Sequence, residues 1–145
     1  MGNASFELDD LRREVRVGVA RVRLRCYTRY TANHKEDHMD LIETQRRRRG
    51  HKFYPTKAAR VPALGATEHV KDPIVRAHYF VGSSDWYVLE MDPETGEAFG
   101  LADIFGNGGE LGYFSLVELE ATTMRGFLVV ERDMHWTPKP LSKVR

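Results

Sequence analysis

Glu131-Arg132-Asp133-Met134-His135 places four ionisable side chains within five residues. On an extended chain successive side chains point to opposite sides, so Glu131, Asp133 and His135 share one face and Arg132 takes the other. Carboxylates beside an imidazole suit general acid–base catalysis or metal ligation. A hydrolase-type site built here would draw on Glu90 or Glu110 as a further carboxylate. The competing reading is an edge strand kept soluble by its charges, with Arg132 in an internal ion pair. No second ligand cluster has diagnostic spacing, so neither a metal nor a cofactor is expected.

Other groupings carry less chemistry. His34 and His38 stand one helical turn apart, but Lys35 follows the first histidine where a zinc protease needs Glu. Gly106-Asn107-Gly108-Gly109-Glu110-Leu111-Gly112 is glycine-rich without a Gly-Lys-Ser/Thr ending, and the following element is a strand. It reads as a loop between strands, not a phosphate cradle or a dinucleotide fingerprint. Cys26 lies on an apolar stripe, where a buried thiol is inert, and no nucleophile–base–orienter set can be assembled.

Two surfaces could bind a partner. Arg46, Arg47, Arg48 and Arg49, with Lys52 nearby and Phe53 and Tyr54 following, can neutralise phosphates and stack on unpaired bases. Asp37, Asp40 and Glu43 dilute that charge, so a solvated helix end or an ion-paired interface competes. Of the aromatic residues in the second half, most must fill a core. Trp86, Tyr113 and Trp136 are the candidates for a protein-recognition surface, because Trp and Tyr anchor interfaces.

The elements that must position these residues change character near Gly50–Pro55. Residues 1–52 carry 13 Lys+Arg against 8 Asp+Glu, and residues 53–145 carry 9 against 13. A basic N-terminal extension (1–52) on a small acidic α+β domain (53–145) is the expected organisation. The acidic balance of the domain argues against nucleic-acid binding by the domain itself. Leu8, Leu11, Val15, Val19, Val22, Cys26 and Tyr30 recur at helical spacing, so the extension reads as helical. Val15-Arg16-Val17-Gly18-Val19 alternates, which keeps a strand reading open. A second helix is expected over Asp40–Arg49, and Pro55, Pro62 and Pro73 make 53–73 mostly loop.

The domain reads as an antiparallel β-meander with one short capped helix after its fourth strand. The expected strands are Ile74–Val81, Trp86–Met91 in strict alternation, Ala98–Ile104 and Leu111–Phe114. Asp92-Pro93-Glu94-Thr95-Gly96 is turn chemistry. Ser115-Leu116-Val117-Glu118 is a capping box, and Phe114 with Leu119 forms a hydrophobic staple. The helix should end near Met124–Gly126 with Gly126 as its cap. Phe127–Val130 and Met134–Thr137 read as short extended pieces, and Pro138 and Pro140 end the regular structure.

Asp72-Pro73-Ile74-Val75, Trp86-Tyr87-Val88-Leu89-Glu90 and Phe99-Gly100-Leu101 resemble segments of a bacterial family, the domain of unknown function 2958 group. So do Glu110-Leu111-Gly112-Tyr113-Phe114-Ser115-Leu116-Val117-Glu118-Leu119-Glu120, Glu131-Arg132-Asp133-Met134-His135-Trp136 and Pro138-Lys139-Pro140-Leu141. The resemblance covers residues 60–144. It implies a small, often stand-alone protein carried by bacteria, plasmids and phages, and no activity. Where the family usually has a Thr-Pro turn after its first strand, this chain has Val81-Gly82-Ser83-Ser84.

No run approaches the roughly 20 apolar residues of a membrane helix, no secretory signal opens the chain, and the single cysteine forms no internal disulfide. A cytoplasmic setting is expected, with Met39 a second candidate start. The functional expectation is a small accessory binding protein of a mobile element or phage that acts through a protein partner. Nucleic-acid binding through the basic arm and a hydrolase-type enzyme are the alternatives.

Overall fold

Strands whose alternate residues are apolar need both a partner strand and a cover, and the sheet supplies the first. The computed structural model describes residues 41–144, beginning with one helical turn, α1 (Arg46–Arg49). Strands β1 (Ile74–Val75), β2 (Ala77–Val81), β3 (Ser84–Met91), β4 (Glu97–Asp103) and β5 (Glu110–Ser115) follow. Helix α2 (Leu116–Ala121) leads to β6 (Thr123–Met124), β7 (Leu128–Val129), β8 (Glu131–Arg132) and β9 (Lys139–Pro140). The main sheet is antiparallel with order β5-β4-β3-β2-β8, so β2 to β5 form a meander and β8 returns beside β2. β1 pairs with β9, and β6 with β7. The fold is α+β, as expected. The 8–30 helix, Cys26 and the His34/His38 pair lie outside the described residues.

The two faces of the sheet carry separate apolar clusters. Ala77, Tyr79, Val81, Trp86, Val88 and Ala98 point inward, where Phe53, Leu116 and Val130 cover them. On the outer face Leu89, Phe99 and Leu101 pack with Val75 and Leu141, and Leu64, Tyr113 and Trp136 lie partly buried against them. The Ser115 hydroxyl accepts the Glu118 amide at 3.3 Å, which starts α2 where the sequence places it. Burial of Leu116 then ties α2 to the inner cluster.

Strict alternation fails inside β3. The register steps from Val88↔Gly100 to Glu90↔Phe99, so Leu89 is an inserted bulge residue. Opposed residues share a face, so Glu90 moves to the outer side with Phe99, and Met91 joins the inner cluster beside Trp86. Fully buried Glu90 accepts the Gly65 amide at 2.6 Å and the Thr67 amide at 2.8 Å, which fastens the preceding loop to the sheet.

Several boundaries differ from the sequence reading for local reasons. Ile74–Val81 breaks at Arg76, where the chain passes from the β1–β9 pair to the main sheet, so the capped helix follows a fifth strand. The helix stops at Ala121 because Thr122 is extended and its hydroxyl donates to the Glu118 carbonyl at 2.7 Å. Gly126 sits instead in the β6–β7 turn, next to left-handed Arg125. Pro140 does not end the regular structure, since a proline is tolerated in the short β1–β9 pair. Met134–Thr137 contains no strand, and of Asp40–Arg49 only α1 is helical among the described residues.

Residues 41–52, assigned from charge to the extension, pack into the body. Arg49 is buried against Glu120, and Phe53 fills the inner cluster directly after them. No helix among the described residues is long and apolar enough to cross a membrane.

Candidate functional site

β2, β3 and the residue that follows β8 bring a histidine, a tyrosine and two carboxylates together on the outer face. His78 stands opposite Tyr87 in the ladder, and their rings stack at 4.7 Å and 8°. The His78 Nε2 is 2.8 Å from Asp85 Oδ1, and its Nδ1 is 3.2 Å from Asp133 Oδ2. Each ring nitrogen of His78 thus faces a carboxylate oxygen.

Backbone bonds hold Asp133 in place. Its amide donates to the His78 carbonyl at 2.9 Å, and its Oδ1 accepts the His135 amide at 2.9 Å. This second bond is an Asx turn, and it bends the chain out of the strand immediately after β8. Trp136 then reaches back over the site, 5.1 Å from His78 and 5.8 Å from Tyr87, with its indole N–H donating to the Val75 carbonyl at 3.1 Å. Phe80, exposed, extends the row 5.7 Å beyond His78. At the other end the Lys139 ammonium lies 4.4 Å from the Trp136 ring centre.

The electrostatics follow from this packing. Burial alone would raise the Asp133 carboxyl, but the His135 amide, the His78 ring and both imidazoles hold it below the usual carboxylate range. Burial pushes the Tyr87 phenol up, and the charges of Asp85 and Asp103 push it further. Asp103 stands directly opposite Asp85 and accepts the Gly108 amide at 3.2 Å.

Because the folded Asp133 pKa is depressed, its contribution is fully present above the unfolded value of roughly 4 and is lost as pH falls through the folded value. Asp133→Asn is expected to lower stability at pH 7 by about 1 kcal/mol, the scale of one charge-assisted hydrogen bond after solvent screening. The gap between the variant and the natural protein should narrow toward pH 3. Urea denaturation at both pH values measures it, and a gap that does not narrow would contradict this assignment.

The sequence candidates are distributed as follows. Glu131 pairs with His51, Nε2 to Oε2 at 2.6 Å, while Asp133 pairs with His78. His135 is exposed, and its amide, not its ring, makes the bond to Asp133. Glu90 is committed to the Gly65–Thr67 loop, and Glu110 is exposed at the start of β5. Glu131, opposite Phe80, and Asp133, against His78, both border the outer face, but each pairs with a different histidine and the His135 ring bonds neither, so the three form no single hydrogen-bonded set. Among the described residues no group of three His, Cys, Asp or Glu is placed to hold a metal ion. The physical reason at His78 is that its two carboxylates flank the ring on opposite nitrogens.

Of the arginine run, Arg46 faces Glu43 at 3.6 Å and Arg48 reaches the Gly126 carbonyl at 3.4 Å. Arg49 is buried, so it presents no charge to phosphate. Arg47 and Lys52 are exposed. Trp86 belongs to the inner cluster, whereas Tyr113 and Trp136 lie partly buried on the outer face. Sequence reasoning missed His78, Asp85, Tyr87 and His51 as members of a site. The visible signal was His78 itself, an ionisable residue inside the apolar run Ala77–Val81.

A family model described as "Protein of unknown function (DUF2958)" matches residues 34–144. The match starts well before residue 60, which places the segment containing α1 inside the family region. No curated protein and no solved structure matches the chain.

Proposed function

We propose the following function for a chain that belongs to the DUF2958 family: a small accessory protein that binds a protein partner through the outer face around His78, Tyr87 and Trp136. The setting we propose is the bacterial cytoplasm, with the protein serving a mobile element, a phage or its host. The partner contributes a basic segment.

The observation that carries this reading is the Lys139 ammonium seated over Trp136, at the end of the ring row Phe80, His78, Tyr87 and Trp136. An indole face attracts cations, and Lys139 of this chain lies over that of Trp136, which supports the reading that the row suits a basic segment. Half-exposed carboxylates border the row: Asp85, Asp133 and Glu131, with Asp103 beside Asp85. Aromatic anchors within a charged rim are the usual anatomy of a recognition patch. Exposed Phe80 and Met134 add apolar contact at its margin.

A fluorescein-labelled arginine-rich octapeptide tests this by anisotropy. Binding should fall at least tenfold for Trp136→Ala and for Asp85→Asn with Asp103→Asn, and should be unchanged for Glu118→Gln on α2. It should also weaken as salt rises, since the rim is solvent-exposed. Binding that ignores all these substitutions would overturn the reading. Preference for a single-stranded DNA probe, lost on Arg47→Ala with Arg48→Ala, would replace it with nucleic-acid binding through the basic segment.

A further inference from the structure

We propose that two copies of this chain join edge to edge through β5, with Tyr113 opposite Tyr113 of the second copy, to form a two-fold dimer. β5 ends the sheet and pairs only with β4 among the described residues. The backbone groups it leaves over can be identified. The Leu116 amide donates to the Gly96 carbonyl at 2.8 Å, in line with the β4–β5 register. Hydrogen bonding alternates along an antiparallel strand, so Phe114, Gly112 and Glu110 turn their N–H and C=O toward β4. Ser115, Tyr113 and Leu111 turn theirs outward. The Asp92 amide, 2.8 Å from the Glu97 carbonyl, confirms the alternation, because it points Glu97 toward β3 and Ala98 toward β5. Among the described residues no hydrogen bond reaches the outward backbone groups of Leu111, Tyr113 or Ser115.

Edge strands are normally shielded by lysine, proline, a bulge or brevity. β5 has six residues, none of them Lys or Pro, and its register is unbroken. The opposite edge, β8, is shielded by its two-residue length and by Arg132. An unshielded edge of this length calls for a cover.

The sequence of β5 makes a second copy the occupant that fits. A two-fold axis normal to the sheet through Tyr113 sets Leu111 opposite Ser115 and Ser115 opposite Leu111. Every outward N–H then meets an outward C=O. The inner and outer faces also run continuously from one copy into the other. On the inner side Phe114 falls opposite Gly112, where an added Cβ would meet nothing within 4 Å, so the ring covers bare backbone. On the outer side the two Tyr113 rings are cross-strand neighbours. Glu110 falls beyond the paired stretch, opposite Leu116, so no carboxylates confront each other. The contact is isologous, so it closes at two subunits and leaves no further long edge.

Sedimentation velocity of the full chain over a concentration series should show a monomer–dimer equilibrium. Tyr113→Pro deletes one outward N–H without touching the Gly112 and Phe114 bonds to β4, and should shift the sample to monomer. Tyr113→Cys, in a Cys26→Ser background, decides the matter without relying on how the proline variant folds. Opposed hydrogen-bonded residues lie about 5.5 Å apart at Cα, within disulfide reach. Mild oxidation should therefore trap a covalent dimer. A natural protein that stays monomeric at its highest soluble concentration overturns the proposal. So does a dimer in which the two introduced cysteines fail to cross-link.

Discussion

Arg49→Met is expected to destabilise the protein by about 3–5 kcal/mol, the range for removing one partner of a buried ion pair. The reason is what the substitution leaves behind. Glu120 is buried and accepts the Thr44 amide at 2.9 Å, the Thr44 hydroxyl at 2.8 Å, the Gln45 amide at 2.8 Å and Arg49 Nη1 at 3.1 Å. Arg49 in turn donates from Nε to the Val130 carbonyl at 2.7 Å and from Nη2 to the Glu120 carbonyl at 3.1 Å, with its guanidinium over the Phe53 ring. Methionine keeps the bulk but leaves a carboxylate without its counter-charge and two buried carbonyls without donors. Replacing both residues, Arg49→Met with Glu120→Leu, should recover part of the loss, because the stranded charge is gone.

The same pair predicts a pH dependence. Burial raises the Glu120 carboxyl, but the Gln45 and Thr44 amides, the Thr44 hydroxyl and Arg49 outweigh it and hold its pKa below the ordinary value. Its stabilisation is thus present above the unfolded value of roughly 4.3 and disappears as pH falls through the folded one. The penalty of Arg49→Met should therefore be largest near neutrality and shrink in acid. Guanidinium titrations at about pH 7 and about pH 3.5, on either side of that unfolded value, would read it. A loss below about 1 kcal/mol at pH 7 would mean that the pair is a solvated surface contact instead.

What the sequence made legible was local. Ser115 announced α2 because a cap and its N3 amide are three residues apart, and Asp92–Gly96 announced a turn because its chemistry is contained in five residues. Long-range pairs left no such trace. His78 and Asp133 are 55 positions apart, and Arg49 and Glu120 are 71. Four consecutive arginines look like one solvated block, yet a helical turn must aim one of them inward, and only the partner identifies it as Arg49. The partners of the Glu131–His135 grouping were hidden for a related reason. Glu131 and Asp133 do border one face, but the Asx turn at Asp133 ended the strand and each carboxylate took a separate histidine, a long-range choice with no local mark. The bulge at Leu89 likewise moved Glu90 across the sheet, and no pattern of residue types in Ser84–Met91 marks it.

That bulge also makes the second large prediction. Gly100→Ala should destabilise the protein by about 3 kcal/mol, the upper part of the range for overpacking. Gly100 lies opposite Val88, where the β3 register shifts, and opposite Gly112 on its other side. A Cβ at Gly100 would sit 1.9 Å from the Tyr87 carbonyl oxygen, 3.0 Å from its carbon and 3.2 Å from the Val88 Cα. All three are backbone atoms, so no side-chain rotation relieves the contact and β3 and β4 must part. Separation there would disturb the Tyr87–His78 stack on the neighbouring residue as well as the inner cluster at Val88. Gly112→Ala is the matched control, in the same ladder and with nothing within 4 Å of its Cβ. Its backbone is not left-handed, so alanine removes unfolded-state freedom without strain. It should be neutral or stabilising by up to about 1 kcal/mol. Urea denaturation of the two variants side by side tests the contrast. Equal effects would show that Gly100 marks a weak strand position and not an obligatory close approach of two backbones.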